Sequence, residues 1–158
     1  MNESPDLTTL LDGLIEKVKD GEEGFRTAAK DVDSKNLREM FTTLSEQRAM
    51  FLNQLQALAK SLGEKQPETE GSVVGAAHCG WIDLRAAVAT QNSKAILEEC
   101  ERGENTAVAA FGEALDKDLP DTIRGTVADQ FAKIQAVRDR IKRLVDRMKD
   151  ATDQQVRW

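Results

Sequence analysis

Four long charged side chains fall where apolar ones are expected. Glu22, Arg48, Glu104 and Arg138 each interrupt the apolar stripe of an amphipathic segment. Two carboxylates and two guanidiniums on inward-facing stripes admit three chemistries. The carboxylates could ligate hard divalent cations; Glu22 beside Glu23, or Glu46 near Arg48, could supply general acid–base catalysis; or acid and base could close buried ion pairs. A separate candidate is the doublet His78-Cys79, with Trp81 two residues on. It could be half a metal site or line a small-molecule pocket. The plainer reading is a local packing pair, with Trp81 as the anchor of its segment.

The stripes that position these residues step by threes and fours, the period of a helix with one buried face. In the first segment Leu7, Leu11, Leu14, Val18, Phe25 and Val32 are aligned, with Glu22 between Val18 and Phe25. The second runs Leu37, Phe41, Leu44, Phe51, Leu55, Leu58 and Leu62, and Arg48 fills the gap. Glu104 interrupts Leu97, Cys100, Ala107, Phe111 and Ala114; Arg138 interrupts Val127, Phe131, Ile134, Ile141, Val145 and Met148. The second and fourth stripes repeat each other at an offset of 90 residues, and Gly21-Glu22 recurs as Gly103-Glu104. A duplicated helical hairpin accounts for both similarities.

Start and stop signals predict a single domain over 1–158, with helices at 4–32, 34–62, 72–89, 92–117 and 120–156. Ser4-Pro5 opens the first, Asp33 or Ser34 caps the second, and Gly63 ends it. The polar run GEKQPETEG reads as a loop, Ser72 opens a short apolar helix, and Asn92 or Ser93 caps the next. Short turns make helices 1 and 2, and the last two long helices, antiparallel neighbours. The long connection between the hairpins can cross the length of a bundle, so the third long helix runs parallel to the second.

Composition agrees with an all-α chain able to bury a continuous core: 158 residues, 40% hydrophobic, 32% charged, with only 3 Pro. A net charge of −6 and a pI near 4.9 disfavour nucleic acid and anionic membranes as partners. The basic run in the last helix reads as an exposed face. No leader pattern and no apolar run of membrane-spanning length occurs, which points to the cytoplasm. Cys79 and Cys100 lack motif spacing, and Cys100 sits on an apolar stripe as a small hydrophobe. Glu98, Glu99, Glu101 and Glu113 read as a solvated acidic face of the third long helix.

Through the phrases DGEEGFRTAA, GSVVGAAHCGW and ECERGE, nearly the whole chain resembles a bacterial family within the ferritin-like group, domain of unknown function 2383. The resemblance implies a ferritin-like four-helix bundle of two antiparallel hairpins joined by a long crossover with its own short helix. Ferritin-like carboxylate proteins carry a Glu on helices 1 and 3 and Glu-x-x-His on helices 2 and 4. Laid on this chain, Glu22 and Glu104 take the first two positions. The others fall on Arg48-x-x-Phe51 and Arg138-x-x-Ile141. Arginine has five donors, no lone pair and a fixed charge, so it cannot ligate a metal.

The expectation is therefore that Glu22–Arg48 and Glu104–Arg138 ion pairs, or one four-membered network, fill the place of a di-metal site. No cofactor and no catalysis are expected. The function that follows is a structural, stress-associated or protein-interaction bundle that self-associates as a homo-oligomer, such as a dimer, or binds another protein. The competing reading is an atypical iron or manganese protein using Glu22 and Glu104 for oxidation or storage.

Overall fold

The computed structural model describes residues 4–63 and 92–156, which form four helices and no strand. These are α1 (Ser4–Asp31), α2 (Lys35–Ser61), α3 (Ser93–Leu115) and α4 (Asp121–Val156). Each boundary falls within two residues of the sequence expectation, because the capping chemistry is local. Ser34 Oγ accepts from the Leu37 N–H at 3.2 Å, and Asn92 Oδ1 accepts from Ala95 N–H at 3.1 Å. Gly63 leaves α2 with φ +92°, a left-handed conformation that disfavours a side chain, and its N–H reaches Lys60 O at 2.9 Å. Arg124, on the first turns of α4, donates to Leu115 O at 3.0 Å and Lys117 O at 2.5 Å, satisfying carbonyls at the end of α3. The expected helix over 72–89, with His78, Cys79 and Trp81, lies outside the described residues.

Two apolar clusters fix the topology. One gathers Phe25, Val32, Phe41, Leu44, Leu97, Cys100, Ile141 and Val145. The other gathers Leu11, Val18, Phe51, Leu55, Phe111, Ile123, Val127 and Ile134. Thus α1 and α4 run from the second cluster to the first, while α2 and α3 run the other way. The hairpins α1–α2 and α3–α4 are antiparallel, α1 also packs on α3, and α2 and α3 are parallel, as the long connection predicted. Diagonally opposed, α2 and α3 bring no Cα atoms within 8 Å of each other among the described residues.

The helix faces differ from the sequence reading at two of the four interruptions. On α1 the buried line passes from Val18 through Gly21 to Phe25, so Glu22 is turned to the flank. On α4 it passes through Val127, Gln130, Ile134, Val137 and Ile141, leaving Phe131 and Arg138 on the shoulder. Stripe positions at i+3 and i+4 are adjacent on the helix surface, and at each place the smaller or apolar alternative takes the core. Arg48 and Glu104 remain inside, at 1% and 0% exposure.

Candidate functional site

Arg48 extends from α2 across the bundle axis to Glu104 on α3. Its two terminal nitrogens donate to the two carboxylate oxygens at 2.7 and 2.6 Å, a bidentate pair with both side chains 1% exposed. Nε donates to Gln47 Oε1 at 3.3 Å. The guanidinium carbon stands 5.3 Å from the Phe25 ring centroid and 5.9 Å from that of Phe51. Cation–π attraction therefore adds to the charge pairing from rings that belong to different apolar clusters. Phe25 also stacks on Phe41 at 6.0 Å, which fixes the first of these rings.

Room for the guanidinium comes from Gly21. A Cβ added there would lie 3.1 Å from Arg48 Nη1, tighter than ordinary side-chain contact. The Gly-Glu repeat thus has two roles. In α1 the glycine faces the guanidinium, while in α3 the glutamate receives it.

The expected pairings Glu22–Arg48 and Glu104–Arg138, and the four-membered network, are replaced by this single diagonal pair. Glu22 Oε1 accepts from Lys19 at 3.4 Å and Oε2 from Arg26 at 3.1 Å, both on its own helix. Its main-chain carbonyl accepts from Ser45 Oγ at 3.0 Å, tying α1 to α2 just beside the pair. Arg138 donates to Asp139 at 2.8 Å and to Asn105 at 3.3 Å. The physical reason is that the buried lines of α1 and α4 pass through Gly21 and Val137, the positions beside Glu22 and Arg138, while the rest of each stripe stays inside. Glu22 and Arg138 keep water on one side, whereas the partner in reach of Arg48 is the inward carboxylate across the diagonal.

The helices bury further polar side chains, Asp20, Glu99 and Gln130, that the sequence reading did not place inside. Glu99 is 5% exposed, not part of a solvated acidic face, and pairs with Arg102 at 3.0 Å. Burial, with the charges of Glu104 and Glu99, pushes the Cys100 thiol well above its ordinary pKa. A thiol held protonated is a poor nucleophile and a poor ligand. Gln130, fully buried on α4, donates from Nε2 to Phe51 O at 3.3 Å and Gln54 Oε1 at 2.8 Å. Asp20 is 8% exposed, and burial raises its carboxyl pKa to about 7, with Glu23 and Glu16 adding to the rise and Lys17 opposing it. Nothing local in the sequence marks Asp20 or Gln130 as buried.

The centre can hold charge but offers little for bond-making. Both oxygens of Glu104 face donors with no lone pair, Glu22 is directed elsewhere, and no three possible ligands converge among the described residues. No helix among them is long and apolar enough to cross a membrane.

Against known proteins, the family model described as Domain of unknown function (DUF2383) matches residues 6–117, a span that contains Gly21, Arg48 and Glu104. No curated protein matches the chain.

Proposed function

The chain belongs to the DUF2383 family, and from the diagonal Arg48–Glu104 pair we propose that it is a non-catalytic, cytoplasmic interaction bundle of bacterial ferritin-like descent, its di-metal position taken over by an ion pair. The observation that carries this reading is the bidentate pair at 1% side-chain exposure. A guanidinium at the middle of the bundle repels a divalent cation, and Glu104 cannot give its oxygens to a metal without leaving that charge unpaired in an apolar interior. Two parallel helices with long stripes, pinned at one level, make a rigid body suited to presenting outer faces to a protein partner. Structural or stress-associated roles belong to the same reading.

Elemental analysis of protein purified from cells supplied with iron and manganese tests it. The expected result is a folded protein carrying far less than one metal per chain, and an Arg48→Met, Glu104→Leu double variant that is equally folded. Stoichiometric iron or manganese that is lost on Glu104→Ala would overturn the proposal in favour of an atypical metalloprotein built on Glu104 and Glu22.

A further inference from the structure

The outer face of α4 carries charge that the chain itself does not use. From Lys133 to Lys149 the sequence places seven basic side chains against two acidic ones, in a chain whose net charge is −6. Both acids are taken: Asp139 accepts from Arg138 at 2.8 Å and Asp146 pairs with Lys142 at 3.3 Å, while Lys133 reaches back to Asp129 at 3.1 Å. Arg140, Arg143 and Arg147 are exposed and form no ion pair among the described residues. We propose that these three arginines are a docking strip for an acidic helix of a partner protein. This deepens the reading as an interaction bundle, and rests on it, by naming the face and the chemistry of the partner.

Their spacing carries the assignment. Positions i, i+3 and i+7 lie on one line of a helix, here with guanidiniums rooted about 4.5 and 6 Å apart along the axis. Like charges three and four residues apart repel, which weakens the helix, and nothing among the described residues offsets it. The helix dipole does not account for the line, because its attraction for cations is confined to the last turn and α4 continues to Val156. The residue type agrees. Lys133 and Lys142 are held by aspartates of their own helix, whereas the free positions carry the guanidinium fork that receives a carboxylate bidentately, as Arg48 does inside.

The surroundings select a protein helix over a phosphate polymer. Ala132 and Ala136 continue the arginine line towards the start of α4 with short, exposed apolar side chains, over which another helix can approach closely. Asp139 and Asp146, each 53% exposed beside the line, repel a continuous polyanion. A helix with three acidic side chains on one line and an apolar turn beyond them matches all five positions.

Fluorescence anisotropy with the full chain tests the proposal. The probe is a labelled helical peptide with glutamate at i, i+3 and i+7 on one face and alanine or glutamine elsewhere; its control has the same composition with the glutamates spread round the helix. The probe is expected to bind at least tenfold more tightly than the control at low ionic strength. It should lose that margin against a variant carrying Arg140→Glu, Arg143→Glu and Arg147→Glu, and most of it against Arg143→Glu alone, whereas Lys133→Glu should change binding less than twofold. The same peptide with lysines in place of its glutamates should bind the triple variant, whose helical circular dichroism reports that it is folded. Equal binding of probe and control, or a triple variant that binds the probe like the wild type, overturns the proposal. So does displacement of the probe by inorganic polyphosphate at lower concentration than by unlabelled peptide, which would make the strip a phosphate site. A wild type that sediments as a dimer and becomes single-chain on the triple substitution overturns it too, in favour of a second copy as the occupant. Metal content leaves these outcomes untouched, so failure of the functional reading and failure of the docking strip are separable.

Discussion

Arg48 and Glu104 connect α2 to α3, the two helices whose Cα atoms nowhere come within 8 Å of each other among the described residues. The pair spans the diagonal of the bundle, so its geometry depends on all four helices holding their register. Breaking and replacing it therefore have opposite consequences.

Removing one partner leaves a buried charge without its counter-ion. Glu104→Ala and Arg48→Ala should each lower the unfolding free energy by about 3–5 kcal/mol. Arg48→Met with Glu104→Leu should be neutral or stabilising by about 1–4 kcal/mol, because neither ion then has to be desolvated. Urea denaturation of Arg48→Ala, Glu104→Ala, their Ala–Ala double variant and the wild type gives the double-mutant cycle, with Arg48→Met, Glu104→Leu measured beside it. Additive losses in that cycle would show that the two side chains are not coupled.

Gly21 should behave unlike an ordinary helical glycine. Alanine gains about 1 kcal/mol of helix propensity, yet its Cβ would meet Arg48 Nη1 at 3.1 Å. The guanidinium cannot retreat, since Glu104, Phe25 and Phe51 hold it. Gly21→Ala is expected to destabilise the wild type by about 1–2 kcal/mol, whereas Gly125→Ala, with open space around it, should stabilise by about 0.5–1 kcal/mol. Denaturation midpoints of the two variants, measured side by side, decide between a space requirement and a propensity effect.

Much of this arrangement is legible in the chain alone. The caps, the three- and four-residue steps and the lengths of the connections specify four helices and a parallel α2 and α3. Arg48 is recognisable as interior because its stripe offers no apolar substitute at the preceding position, which is Gln47. Val137 precedes Arg138 and does supply a substitute, so the buried line of α4 passes through Val137 instead. Gly21 and Gly103 look alike in sequence, and only the approach of Arg48 to one helix face separates their neighbours Glu22 and Glu104. Diagonal pairing was not legible, because distance from a turn relates antiparallel neighbours and says nothing about helices that do not touch.

Asp20 makes stability fall as pH rises. Its carboxyl pKa is about 7 in the fold against a reference of 3.8, so the native state holds a proton that the unfolded chain has released. The stabilising effect of that proton is fully present below about 3.8 and is lost as pH rises through about 7. Asp20→Asn should flatten the dependence within this window and be more stable than the wild type above it. Urea titrations on both sides of neutrality check the sign, and a wild type that gains from Asp20 as pH rises would contradict it.

Cys100 should be silent towards thiol reagents in the folded protein. It is 0% exposed and its thiol is held protonated by burial and by Glu104 and Glu99. In a Cys79→Ser background, Ellman's reagent is expected to react with one thiol at once in denaturant. Without denaturant the reaction should proceed only as fast as the bundle opens. Rapid native labelling would mean that the α3 side of the core is accessible.

The guanidinium lies between the Phe25 ring of one apolar cluster and the Phe51 ring of the other. It acts as a bulkhead that divides the interior into two compartments, each furnished by one end of every helix. Volume changes are transmitted by direct contact between packed side chains. An enlarged residue at Leu11 and a reduced one at Phe111 share a compartment and can compensate, whereas Leu11 and Leu97 lie on opposite sides of the partition. Each half of the interior is thus free to drift in sequence without the consent of the other.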